Sequence, residues 1–310
     1  MPTISERIEG GLLGLLIGDA LGVPYEFHEP QDLPSLDEIE FIPPPDFRRA
    51  HAGVPPGTWS DDGAQALALL ASLLDQNRLD LPDFGQRLIA WYQAGALAVG
   101  GVVFDVGIQT RQAIQAMVTG VSPAKAGSTD EYANGNGSLM RVLPLALWHQ
   151  GSDRDLVEQA HQQSLPTHGH PRAQVCCALY CLWARRLLQA ADQPWPEAVA
   201  TLRTIYDHAS PEYQELDAHI RPDNPPAGQG TGYVVDCLHS ARWALQAGGY
   251  EQVVKAAIAL GHDTDTTACV AGGLAGIRDG VQAIPPRWRE HLRGQELVEP
   301  LLQQLLRRYA

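Results

Sequence analysis

The chain has 310 residues, 45% of them hydrophobic, and a formal net charge of −14 from 36 acidic and 22 basic residues. This length and composition exclude a disordered chain and allow a large buried core. The acidic balance argues against extended nucleic-acid binding, which needs a positive surface, whereas an acidic cleft attracts metal cations.

The first apolar run, "GGLLGLLIGDALG", lacks a basic flank and is interrupted by Asp19, so it does not read as a signal sequence. No stretch reads as long enough to cross a bilayer. Asp19 reads as a satisfied interior or capping carboxylate. Glu26 follows Pro24 and Tyr25, where the first helix should end. A Pro- and Gly-rich connection from Pro30 to Gly57 follows, and a loop this long in a compact domain is often functional. After "SDDG", Leu67, Leu70 and Leu74 mark the apolar face of a helix. The nearest approach to strand alternation is "GVVF" at 101–104, too short to carry a sheet. Asp105 in "FDVGIQT" is either a helix cap or a substrate contact.

In "NGNGSLMRVLPL" the glycines and asparagines allow backbone amides to converge before a helix expected from about Ser138, a geometry that cradles phosphates. Arg141 either pairs a phosphate or caps a neighbour. His168 and His170 read as polar loop contacts before a helix whose first residue is Pro171. Ala178, Leu179, Leu182 and Trp183 mark the apolar face of that helix. A second Gly-rich lead, "GQGTGYVVDCL" from Gly228, opens another helix; its Tyr233 is either a stacking platform for a base or a core aromatic. Val253, Val254, Ala257 and Leu260, then Val298, Leu301, Leu302 and Leu305, mark the last amphipathic segments. The expected fold is therefore all-α, with about a dozen helices. The polar clusters span nearly the whole chain, so their convergence would make residues 1–310 a single compact domain. The five cysteines form no zinc-like pair and read as reduced, mostly buried thiols of a cytoplasmic protein.

Two helix starts stand out. "WSDDG" and "GHDTDTT" each put two aspartates and at least one hydroxyl ahead of an apolar helix. Capping and the helix dipole explain part of this, but one cap oxygen satisfies only one or two amides. Four carboxylates with hydroxyl partners are a hard-oxygen ligand set suited to Mg²⁺ or Mn²⁺, and two such starts facing each other would hold a pair of ions. Other readings of the aspartates fare worse. An EF-hand loop from Asp263 needs Gly and Glu where Ala268 and Leu274 stand. An aspartyl-phosphate phosphatase needs a later lysine, and none follows Lys255. A helical HD phosphohydrolase needs a distant downstream aspartate, and only nearby Asp279 is available.

Together, "IGDALGVPYE", "WSDD", "NGNGSLMR", "GTGYVVD" and "GHDTDTTA" resemble, in order and approximate spacing over residues 8–280, the ADP-ribosylglycohydrolase family. The resemblance implies an all-α fold with a binuclear cleft for two divalent cations, Mg²⁺ or Mn²⁺. It implies Ser60, Asp61, Asp62, Asp263, Asp265 and Thr266 as metal ligands, and Glu26 or Asp62 as the catalytic carboxylate. It implies substrate contacts from Asn134, Gly135, Asn136, Gly137, Ser138, Met140, His168, Gly230, Gly232 and Tyr233. Asp105 stands at the position near the leaving group. The implied reaction is hydrolysis of the bond between ADP-ribose and an acceptor, foremost arginine on a protein partner; serine-linked, nucleic-acid-linked and small-molecule ADP-ribose are alternatives. A nucleotide phosphohydrolase and a non-catalytic ADP-ribose-binding protein are the rival classes. Two departures bear on specificity: Gly63 replaces a hydroxyl residue, and His262 replaces a glycine.

Overall fold

A computed structural model describes residues 1–309. The fold is all-α, and among the described residues the only β-pairings are two isolated bridges, Ser128 with His168 and Gly135 with Tyr233. The helices are α1 (Ile4–Gly22), α2 (Asp61–Gln76), α3 (Leu81–Ala94), α4 (Ile108–Val118), α5 (Pro123–Ala126), α6 (Leu143–Trp148), α7 (Asp153–Ser164) and α8 (Pro171–Leu188). They continue as α9 (Pro194–Ile205), α10 (Pro211–Gln214), α11 (Val234–Ala244), α12 (Tyr250–Ile258), α13 (Thr264–Asp279), α14 (Pro286–His291) and α15 (Gln295–Leu306).

The axis of the fold is the pair α1 and α13. Gly10, Gly14, Gly18 and Gly22 recur every fourth residue, so they share one face of α1. That face lies directly on the backbone of α13. A Cβ added at Gly18 would sit 2.1 Å from the Ala268 carbonyl oxygen, and one added at Gly276 would sit 1.9 Å from that of Gly10. Only residues without side chains permit such an approach. At the lower end of the seam Thr264 Oγ1 donates to the Gly22 carbonyl at 2.8 Å. The seam thereby fixes where α13 begins, and with it the aspartates of "HDTDTT".

Two expectations are corrected. Ile4–Tyr25 is long and apolar enough to cross a membrane by length and composition; here it is the buried central helix, covered by α13. The helix expected from about Ser138 starts at Leu143, after a run of turns. Pro144 is the cause: it has no N–H for the Met140 carbonyl, and its ring would clash there.

The long connection between α1 and α2 is tethered to the body. Tyr25 Oη donates to the Glu40 carbonyl at 2.7 Å, and the Glu40 carboxylate accepts from Trp288 Nε1 at 2.5 Å and Arg287 Nη2 at 2.8 Å. Ala50 N donates to the Pro24 carbonyl at 2.9 Å, folding the connection back beside Glu26.

Candidate active site

The two aspartate-bearing helix starts meet. Ser60 is the N-cap of α2 and accepts from Asp62 N. Asp19 reaches across from α1 and accepts from Ser60 N at 2.8 Å and Gly63 N at 2.7 Å, so it caps α2 from a neighbouring helix. Burial pushes its carboxyl up to about 7, against the lowering effect of those two amides. Asp263 is the N-cap of α13, and its own N–H donates to the Gly230 carbonyl at 2.9 Å. Thr266 Oγ1 lies 3.4 Å from Asp62 Oδ1, which joins the two starts directly.

The resulting cluster is short of positive charge. Burial first, and neighbouring carboxylates second, hold Glu26, Asp61, Asp62 and Asp265 well above the ordinary carboxylate range. Asp62 Oδ2 and Asp265 Oδ2 are buried with no hydrogen-bond partner. Buried carboxylate oxygens without partners are costly, and a hard divalent cation is the ligand such oxygens suit. One oxygen from each of Glu26, Asp263 and Asp265 lies within 4.8 Å of the others, so these acidic groups can hold a metal ion. Behind them, Asp61 Oδ2 accepts from Gln65 Nε2 at 2.8 Å, and Gln65 Oε1 accepts from Arg141 Nη1 at 2.9 Å. Arg141 is therefore no phosphate partner. It is fully buried, and it braces Asp61 through Gln65.

A cavity of about 670 Å³ opens over this cluster, within the size range of small-molecule sites. Of the residues expected from sequence, Asp61, Asp62, Asp263 and Thr266 line it together with Glu26 and Asp105. From the first Gly-rich loop Gly135, Asn136, Gly137 and Met140 line it, joined by His168 and by Gly232 of the second loop. The two loops are stitched to each other: Asn136 N donates to the Gly232 carbonyl and Val234 N to the Asn134 carbonyl, both at 3.0 Å. Gly137 leaves room for His168, since a Cβ there would lie 2.8 Å from His168 Cε1 and the ring would have to shift. Burial lowers His168 to about 3, so its ring is neutral.

Six expected residues do not line the cavity. Ser60 and Asp265 stand behind it, as cap and as buried carboxylate. Asn134 and Gly230 hold backbone geometry, the latter at φ +70°. Ser138 turns into the core, where its Oγ accepts from Ser164 Oγ at 2.8 Å. Tyr233 is partly exposed at the edge, its hydroxyl 3.3 Å from Arg172 Nη1.

The structure also adds residues that sequence reasoning missed. His51 Nε2 lies 2.5 Å from Glu26 Oε2 and 3.8 Å from Asp105 Oδ1. Phe27, Ile108, Thr110 and Thr231 line the cavity. The length of the Pro30–Gly57 connection was a signal for function, but nothing in its sequence singles out His51. Asp105 is no helix cap, since α4 starts three residues later behind Gly107.

The chain belongs to the ADP-ribosylglycohydrolase family, whose pattern matches residues 1–310. It is a hydrolase of that class. It is similar to the ADP-ribosylarginine hydrolase Tri1 of Pseudomonas putida (strain GB-1), 32% identical over 98% of this chain and 78% of that protein. It is 28% identical to the ADP-ribosyl-[dinitrogen reductase] glycohydrolase of Rhodospirillum rubrum, over 94% of this chain and 92% of that one. A solved ADP-ribosylglycohydrolase-related protein complex superposes with a TM-score of 0.78 at 31% identity, covering 98% of both chains.

Proposed function

We propose that the protein hydrolyses the bond between C1″ of ADP-ribose and an arginine side chain of an ADP-ribosylated protein. The observation that carries this reading is the cluster of buried carboxylates, two with unpartnered oxygens, beneath a cavity bordered by two Gly-rich loops. The arginine acceptor follows from the relatives, two of which are named for ADP-ribosylarginine and for dinitrogen reductase.

Ser60, Asp61, Asp62, Asp263, Asp265 and Thr266 are the residues that would hold two divalent cations, Mg²⁺ or Mn²⁺. Such cations supply Lewis acidity and lower the pKa of water. The Gly-rich loops at 134–138 and 228–232, of which Gly135, Gly137 and Gly232 line the cavity, border the place of the pyrophosphate, with neutral His168 as a hydrogen-bonding partner. In the reaction the oxygen of water bonds to C1″ and the C1″–N bond breaks, through an oxocarbenium-like transition state. One proton of the water stays on the new C1″ hydroxyl, the other passes to a carboxylate, and a carboxylic acid delivers a proton to the departing guanidine nitrogen. Asp62 or Glu26, both lining the cavity, is the candidate for these transfers. Burial first, and neighbouring carboxylates second, hold both carboxyls well above the ordinary carboxylate range, which favours their protonated forms. The contributing residues run from Asp19 to Thr266, which supports one domain over the whole chain. The five free, buried cysteines support a reducing compartment such as the cytoplasm.

The test is release of ADP-ribose from an arginine-ADP-ribosylated protein with Mg²⁺, with Mn²⁺ and with chelator. Metal-dependent release of intact ADP-ribose is expected. Release of AMP or phosphate instead would replace the glycohydrolase reading with a phosphohydrolase.

A further inference from the structure

We propose that an aromatic strip at the cleft mouth, Phe27–His51–Phe104 with the Asp105 carboxylate at its edge, seats the planar cation of the acceptor. The proposal rests on the arginine-linked reading and gives it a recognition surface.

The order of contacts along the cleft sets the place. The first Gly-rich loop reaches the carboxylates through Asn136 Nδ2, 2.8 Å from Asp263 Oδ2. Asp263 neighbours Glu26, and Glu26 meets His51 at 2.5 Å. With the diphosphate at the loops and the ribose over the carboxylates, the substituent on C1″ points onward to Glu26 and His51. There the His51 ring lies between two phenylalanines, with centroids 5.6 Å from Phe27 and 5.1 Å from Phe104. Asp105 Oδ1 is 3.8 Å from the same imidazole.

Phe27 is 71% exposed, so its ring gains little from burial. Its backbone is nevertheless held at φ +64°, a region a bulky residue avoids. Two backbone bonds of 2.8 Å pin it there, Phe27 N to the His262 carbonyl and His262 N to the His28 carbonyl. His262 and Asp105 are themselves at φ +60° and +55°. Strain concentrated at one rim, and maintained by paired backbone, marks a surface held ready for a ligand. The chemistry of that ligand follows from the lining. The cavity is bordered by Glu26, Asp61, Asp62, Asp105 and Asp263, and by no lysine or arginine. Asp105 lies outside the residues that would hold the metal ions, and an aromatic face beside this carboxylate, with no lysine or arginine among the lining residues, fits a guanidinium, which stacks on rings and pairs with carboxylates. A serine acceptor would present no charge to this surface.

The experiment uses the full chain with Mn²⁺ and compares the parent with Phe27→Leu, which keeps apolar bulk and loses the ring, and with Phe27→Gly, which also relieves the backbone. Both substitutions fall on an exposed side chain, so folding is retained. Expected is a rise of about tenfold in KM for an arginine-linked substrate and an equal weakening of inhibition by methylguanidine. Inhibition by ADP-ribose should stay unchanged, and the neutral methylurea should not inhibit the parent. Equal methylguanidine inhibition in parent and Phe27→Leu, or none in the parent, overturns the seat. Turnover of the arginine-linked substrate by the parent tests the acceptor reading separately. If the parent cleaves only serine-linked substrate, that reading falls, and methylguanidine inhibition of the serine-linked reaction still decides the seat.

Discussion

Gly18→Ala tests the glycine seam. In isolation the change should stabilise α1, since alanine is favoured over glycine inside a helix by about 1 kcal/mol. In place, the new methyl carbon would lie 2.1 Å from the Ala268 carbonyl oxygen and 2.7 Å from its carbon. An ordinary contact is about 3.5 Å, so α1 and α13 must part by about 1 Å or more, and the obstacle is backbone that cannot rotate away. Overpacking of this kind costs about 3 kcal/mol or somewhat more. The net expectation is a loss of about 2 kcal/mol. Gly11→Ala is the control, because its new methyl would meet the Ile277 side chain at 2.7 Å, and a side chain can repack. Urea denaturation of parent and both variants, followed by circular dichroism, gives the comparison. A shift of α13 also moves Asp263 and Asp265, so Gly18→Ala should weaken Mn²⁺ binding measured by calorimetry. Gly18→Ala as stable as the parent, or more stable, would show that helix propensity outweighs the seam and refute the reasoning.

Asp263→Asn should abolish metal-dependent turnover while changing folding stability by about 1 kcal/mol or less, read by activity assay and urea melt; full activity would remove Asp263 from the ligand set. Gln65→Leu strips a hydrogen bond from Asp61 and leaves Arg141 Nη1 unpaired, so a loss of about 2–4 kcal/mol is expected in the same melt. The pH dependence has a definite sign. Burial raises Asp105 to about 6 and Asp19 to about 7, so the metal-free fold holds protons that the unfolded chain releases. Their contribution is fully present below the unfolded aspartate pKa of about 4 and is lost as pH rises to about 7. Divalent cations favour the ionised cluster, so the rise in melting temperature caused by Mn²⁺ should grow from about pH 5 to pH 8. A rise independent of pH would contradict this.

The helix starts at Asp61 and Thr264 were legible because capping residues, acids and an apolar period coincide there. That they face each other was inferable only from the excess of carboxylates. The start at Leu143 was not legible, because Gly135 and Gly137 signal a helix directly after them, whereas Pro144 sets the actual start. His51 was illegible for a different reason. It reaches Glu26 only because the Pro30–Gly57 connection folds back and pairs Ala50 with Pro24, a tertiary event with no local sequence signature. His262 was noticed as a departure from glycine, and its φ of +60° gives that departure a physical meaning. Gly63 is similar: a side chain there would meet Trp59 and Leu16 at 2.8 Å, so the hydroxyl residue that the family resemblance leads one to expect has no room without repacking.

The pairing of α1 with α13 also bears on how the molecule is made. Gly22 and Thr264, joined at the end of the seam, are 242 residues apart. Contacts of such separation slow folding, because the loop must close before they form. During synthesis, α1 leaves the ribosome long before α13, and the glycine face that α13 covers waits for it. A fragment ending before α13 therefore leaves that face of α1 open, and it lacks Asp263, Asp265 and Thr266 of the carboxylate cluster.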